Sequence, residues 1–105
     1  MSAVESKFAI RNVTPTTTTW VELTAPIKCN YVSIVNQATV DILFRTDSTK
    51  ATSQITIPAT LSYDVLAPTS SDPRFAAPRF IAGNTIGYVQ LSASGSGNVA
   101  GVFTF

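Results

Sequence analysis

Apolar and polar residues alternate along most of this chain with a period of two, and each alternating run is soon cut by proline, glycine or a polar cluster. Over residues 7–13, Phe8 and Ile10 share one face and Lys7, Ala9 and Arg11 the other, which predicts a half-buried strand. Pro15 interrupts it, because proline has no N–H to give to a ladder. Residues 18–24 predict a second strand, with Val21 and Leu23 on one face and Trp20 and Glu22 on the other, closed by Ala25-Pro26. Residues 28–36 predict a third, with Val32 and Ile34 opposed to Cys29, Tyr31, Ser33 and Val35. Residues 39–46 predict a fourth, with Val40, Ile42 and Phe44 inward and Asp41 and Arg45 outward. The short turn Asn36-Gln37-Ala38 makes these last two the clearest hairpin of the chain.

Asp47-Ser48-Thr49-Lys50 reads as a polar loop tip, and residues 53–57 as a strand through Ile55 and Ile57, ended by Pro58. Residues 61–66 alternate less cleanly. Residues 67–78 carry Pro68, Pro73 and Pro78 among serines and aspartate, and form the longest predicted loop. Residues 79–82 resume strand character, and Gly83-Asn84 turns the chain. Residues 84–92 form a long strand with Ile86, Tyr88, Val89 and Leu91. Ser94-Gly95-Ser96-Gly97-Asn98 reads as a flexible hairpin loop. Residues 99–105 close the chain with Val99, Gly101, Phe103 and Phe105 on one face. No segment has a helical period. The expected fold is all-β: a single-domain β-sandwich over residues 7–105, jelly-roll-like, with about eight or nine short antiparallel strands. Residues 1–6 are polar and read as an arm that can order on a neighbour.

Composition narrows the function classes. The chain has 105 residues, enough for one modest core. Charged residues make up 12%, against about 25% in ordinary globular proteins, and hydroxyl and amide side chains supply the polarity instead. Neutral groups cost less to desolvate than ions, so such a surface suits a protein covered by neighbours. A net charge of +1 offers no long-range field to nucleic acid or an anionic membrane. No apolar run approaches the ~20 residues that cross a bilayer, and the first eleven residues hold no secretory apolar core. One cysteine forms no internal disulfide, which fits synthesis in a cytoplasm.

Chemistry is the next filter. The chain has no histidine and a single cysteine, so zinc and copper sites lack their usual ligands. Its six carboxylates are scattered, with no calcium-loop spacing, although Asp47 and Asp72 lie in predicted loops. No Gly-x-Ser-x-Gly elbow occurs, and no imidazole is present to activate Ser or Cys29. Cys29 reads as a small buried hydrophobe. The expectation is therefore a non-enzyme without cofactor or metal. What remains are contact residues. The echo Pro73-Arg74-Phe75 and Pro78-Arg79-Phe80 pairs guanidinium with ring, a combination favoured at interfaces, on a loop that proline keeps cheap to order. Arg74, Phe75, Arg79 and Trp20 are the candidate interface residues, with Phe80 assigned to the core. Trp20, Tyr31, Tyr63 and Tyr88 also raise the alternative of a sugar-stacking platform.

The stretches 31–36 (Tyr-Val-Ser-Ile-Val-Asn), 40–47 (Val-Asp-Ile-Leu-Phe-Arg-Thr-Asp) and 82–90 (Ala-Gly-Asn-Thr-Ile-Gly-Tyr-Val-Gln) carry a resemblance that spans the whole chain. In its Thr-rich strands, low charge and retained initiator Met, the chain resembles the small all-β virion proteins of tailed bacteriophages, most of all head decoration (cement) proteins. The resemblance is one of style, without a diagnostic motif. It implies a structural role with no catalytic residues. The implied partners are other copies of the chain, a homotrimer favoured, and the major capsid protein, and the implied location is the capsid surface. A tail, connector or fibre-attachment component, and a glycan- or receptor-binding sandwich, are the alternatives.

Overall fold

A computed structural model describes residues 8–66 and 80–104 of the chain. Eight strands run in the order β1 (Phe8–Val13), β2 (Val21–Thr24), β3 (Tyr31–Asn36), β4 (Ile42–Arg45), β5 (Gln54–Ile57), β6 (Ser62–Leu66), β7 (Thr85–Leu91) and β8 (Val99–Thr104), with one 3-10 turn at Ala51–Ser53. They form two four-stranded antiparallel sheets, ordered β1-β8-β3-β6 and β2-β7-β4-β5. Successive strands fall in alternate sheets except β4 and β5, and this order is that of a jelly roll. The fold expected from the sequence is thus the fold observed.

The core lies between the sheets and is built by the predicted alternation. Val32 and Ile34 of β3, Val99 and Phe103 of β8, Ile42 and Phe44 of β4, Leu23 of β2 and Val89 and Leu91 of β7 are all buried. Full burial of each large aliphatic or aromatic side chain contributes roughly 1.5–3 kcal/mol. Two glycines admit the rings. A Cβ on Gly87 would lie 2.4 Å from Phe44 Cζ, and one on Gly101 would lie 2.9 Å from the Phe103 ring. Phe44 in turn meets Tyr63 of the opposite sheet, with ring centroids 6.4 Å apart.

Three local expectations are corrected. Residues 36–38 do not close a hairpin. β3 pairs with β6 and β8, whereas β4 pairs with β5 and β7, so the turn carries the chain from one sheet to the other. The Asn36 side chain locks this crossing: its amide donates to the carbonyls of Val40 and Ile57, both at 3.0 Å, and its oxygen accepts from Ala38 N–H at 2.8 Å. The 94–98 loop likewise crosses between sheets, and hydrogen bonds hold it against residues 37–39. Gln37 N–H donates to Asn98 O at 3.0 Å, Thr39 N–H to Ser96 O at 2.8 Å, and Ser96 N–H to Thr39 Oγ1 at 3.1 Å. Gly97, at φ +119°, lets this backbone lie against Ala38, where a Cβ would fall 2.6 Å from its Cα. Residues 80–82 form no strand; Phe80 alone makes a bridge, to Cys29. The predicted strand's first residue, Arg79, lies outside the described residues.

Candidate interaction surfaces

Each sheet has one face in the core and one facing away, so the outer faces are where contact chemistry must sit. On the β2-β7-β4-β5 sheet, Glu22, Tyr88, Arg45 and Gln54 stand in one cross-strand row. Their neighbours in the strands, Leu23, Phe44 and Val89, are buried on the other side. Trp20, two residues before Glu22, lies on the same outer side as expected, half-buried, and the Arg45 guanidinium carbon sits 4.4 Å from its ring centroid. Arg45 is held there by Nε–H to Gln54 Oε1 at 2.9 Å and Nη1–H to Ser48 O at 3.0 Å. The cation and ring attract through the ring quadrupole. One ring face of Trp20 is therefore already occupied. Thr85 Oγ1 donates to Glu22 Oε2 at the same end of the row.

The tyrosines do not gather round Trp20. Tyr88 shares its sheet face, but Tyr31 is on the outer face of the other sheet, and Tyr63, 44% exposed, lies at the margin of the core with its ring near Phe44. The Tyr31 hydroxyl donates to Asp64 one strand away, and this bond, with burial and the carboxylate charge, pushes its pKa up. Of the four candidate interface residues, Arg74, Phe75 and Arg79 lie outside the described residues, so only Trp20 has a described position. Phe80, assigned to the core from the sequence, packs against it.

The β1-β8-β3-β6 sheet holds the surface that the sequence reading missed. Phe8 and Ile10 point away from the core and are 54% and 58% exposed. Their cross-strand partners Thr104 and Val102, and beyond these Tyr31, Ser33 and Val35, complete an outer face with few charges. The inward positions of β1 are Ala9, Arg11 and Val13 instead. Ala9 pairs with Phe103, whose ring already fills that part of the core, so a small residue fits there and a large one does not. Arg11 reaches across to the other sheet, donating to Thr24 Oγ1 at 3.2 Å.

Acid–base and ligand chemistry is sparse among the described residues. No three of His, Cys, Asp and Glu come together to hold a metal ion, and no buried side-chain polar atom lacks a partner. Asp47 accepts from the N–H and the hydroxyl of Thr49 at 2.9 and 2.7 Å, which lowers its pKa, as Lys50 does more weakly. Burial pushes the Cys29 thiol up, against a smaller downward pull from the Tyr31 backbone. No helix among the described residues is long and apolar enough to cross a membrane. Comparison with family models, with curated proteins and with solved structures returned no match.

Proposed function

We propose that the chain is a structural virion protein that binds and stabilises the assembled head of a tailed bacteriophage. The observation that carries this reading is the strand order. Eight strands in two sheets ordered 1-8-3-6 and 2-7-4-5 make a jelly roll, an architecture shared by many viral capsid and lectin domains. This is an analogy of fold, and fold alone does not assign function. The surfaces supply the physical argument. Both outer faces are rich in neutral polar and half-exposed apolar side chains, which give up little hydration when a neighbour covers them. A protein that binds only the assembled head shifts assembly by mass action, so many weak subunit contacts stabilise a shell that packed DNA stresses.

The test is binding of the purified chain to undecorated heads, followed by light scattering and quantification of bound copies. Saturation at hundreds of copies, with heads that survive higher temperature or lower salt, is expected. A few copies at one vertex would reassign the chain to a connector or tail role, and no binding to any particle component would end the proposal. A glycan array with Trp20→Ala as control addresses the remaining reading: sugar binding by the wild type, lost in this variant, would replace head binding as the function.

A further inference from the structure

The strands are not anchored alike. β3 buries Val32, Ile34 and Asn36, and β8 buries Val99, Ala100, Gly101 and Phe103. Both edge strands of the second sheet drive a large aliphatic side chain into the core, Leu23 from β2 and Ile57 from β5. On the first sheet, the edge strand β6 lays Val65 on the core, Tyr63 near Phe44 and Asp64 at the Tyr31 hydroxyl. β1 buries none of its six residues: Phe8, Ile10, Arg11 and Asn12 are exposed, and Ala9 and Val13 are half-buried.

The cause lies in the sequence of β1. Its large side chains, Phe8 and Ile10, face outward, and its inward positions are Ala9, Arg11 and Val13. Ala9 only fits beside Phe103, Arg11 takes its charge to Thr24 Oγ1 at 3.2 Å, and Val13 alone of the three packs against the core. Docking such a strand removes little apolar surface from water, so the backbone ladder to β8 carries most of the attachment. Just beyond Val13 the chain is pinned. Pro15 is buried, the Thr14 hydroxyl donates to Asn98 Oδ1 at 3.0 Å, and Leu91 N–H donates to Thr16 O at 2.8 Å. A weakly buried strand thus adjoins a fixed point.

We propose that β1 is a strap: it leaves β8 as a unit, hinged at Val13-Thr14, while the other seven described strands stay folded, and its departure bares the backbone edge of β8. Local opening draws on the elements with the least buried apolar contact. The ladder shows which amides depend on the strap. Asn36 N–H donates to Leu61 O, toward β6, and Gln37 N–H donates to Asn98 O, toward β8. Successive residues of a strand turn their backbone groups to opposite sides, so Ser33 and Val35 turn toward β8 and bond Val102 and Ala100. The alternate β8 residues Gly101 and Phe103 turn the other way and bond Arg11 and Ala9. Neighbouring amides of one strand therefore report on different partners. The inference does not depend on the virion reading.

Hydrogen exchange of the full chain, read amide by amide by NMR, is the experiment. Protection factors of Ala9, Arg11, Gly101 and Phe103 are expected to agree with one another and to lie at least about tenfold below those of Ala100 and Val102. Global unfolding cannot produce such an alternation along β8. Urea below the unfolding transition should leave the first group nearly unchanged and lower the second, because a small opening exposes little surface. Arg11→Ala removes the bond to Thr24 and should lower the first group a further two- to fivefold or about that, with Ala100, Val102 and the melting temperature unmoved. Equal protection along β8 would overturn the proposal. So would a first group that follows urea as steeply as the second, or a variant that lowers all of these amides alike or none of them.

Discussion

Replacing Asn36 with alanine removes the side chain that ties the β3–β4 crossing to the end of β5. Asn36 is 1% exposed, and its amide makes three hydrogen bonds to backbone groups of residues 38, 40 and 57. Each such bond is worth about 1 kcal/mol net, so Asn36→Ala should cost about 3 kcal/mol, and more if the Val40 and Ile57 carbonyls and the Ala38 N–H find no water. For a domain of this size that is a fall in Tm of roughly 12–24 °C. Urea unfolding followed by circular dichroism measures it, provided the slope with denaturant stays at the wild-type value. Asn36→Asp adds a sign test. The substituted carboxylate has no donor for the two carbonyls and would face them as an anion, so its pKa is raised on folding. The stability of N36D should therefore be fullest below the unfolded carboxyl pKa of about 4 and fall as pH rises through the folded value. A loss under ~1 kcal/mol for N36A would refute the assignment of Asn36 as the lock of the crossing.

Further outcomes follow from the packing. Gly87→Ala drives a Cβ into the Phe44 ring at 2.4 Å and the Arg45 carbonyl at 2.7 Å, and should destabilise by about 1–3 kcal/mol in thermal melts; a neutral result would mean the ring has room to move. Thr60 holds φ at 68° in the turn that Leu61 N–H closes onto Pro58 O, a left-handed conformation that a β-branched residue resists. Thr60→Gly should therefore leave stability unchanged or raise it by up to ~1 kcal/mol, and a clear loss would contradict strain at this site. Cys29 and Tyr31 both bind their protons more tightly folded than unfolded. Stability is accordingly intact below about pH 9 and declines above it as the unfolded thiol, ordinarily at 9.0, and phenol, ordinarily at 10.0, ionise first. Native Cys29 should react with a thiol reagent only at the rate of opening, and prompt labelling would show that it is accessible. Trp20→Ala removes the Arg45 stack together with a half-buried ring, with an expected loss of about 1–2 kcal/mol; a loss beyond ~4 would put Trp20 in the core.

The alternation of the chain was enough to read the inner faces of most strands. Val21 and Leu23, Val32 and Ile34, Ile42 and Phe44, and Val99 and Phe103 all point as their spacing requires. Two kinds of information were not legible. A period of two identifies two faces but not which one is covered, and for β1 the choice was made elsewhere, by the Phe103 ring that leaves room only for Ala9. A short polar turn also does not say whether the next strand returns to the same sheet. Residues 36–38 and 94–98 look like hairpin tips, yet both cross sheets, and the signal lies in side-chain bonds of Asn36 and in glycines that allow close backbone approach. Arg45 was read as an ordinary outward charge, because its stack on Trp20 joins residues distant in sequence. The Arg74, Phe75 and Arg79 interface assignment lies outside the described residues and stands as a proposal.

The ladder that closes the first sheet joins the first and the last of the described strands. Every described backbone partner of β1 lies in β8, and β8 also supplies one whole side of β3. During translation residues 8–13 emerge long before residues 99–104 exist, so this sheet stays incomplete until β8 has been made. Such long-separated pairings make acquisition of the native state slow relative to a helical protein of equal size. Loss of residues 99–104 would therefore take away the one strand on which two others depend.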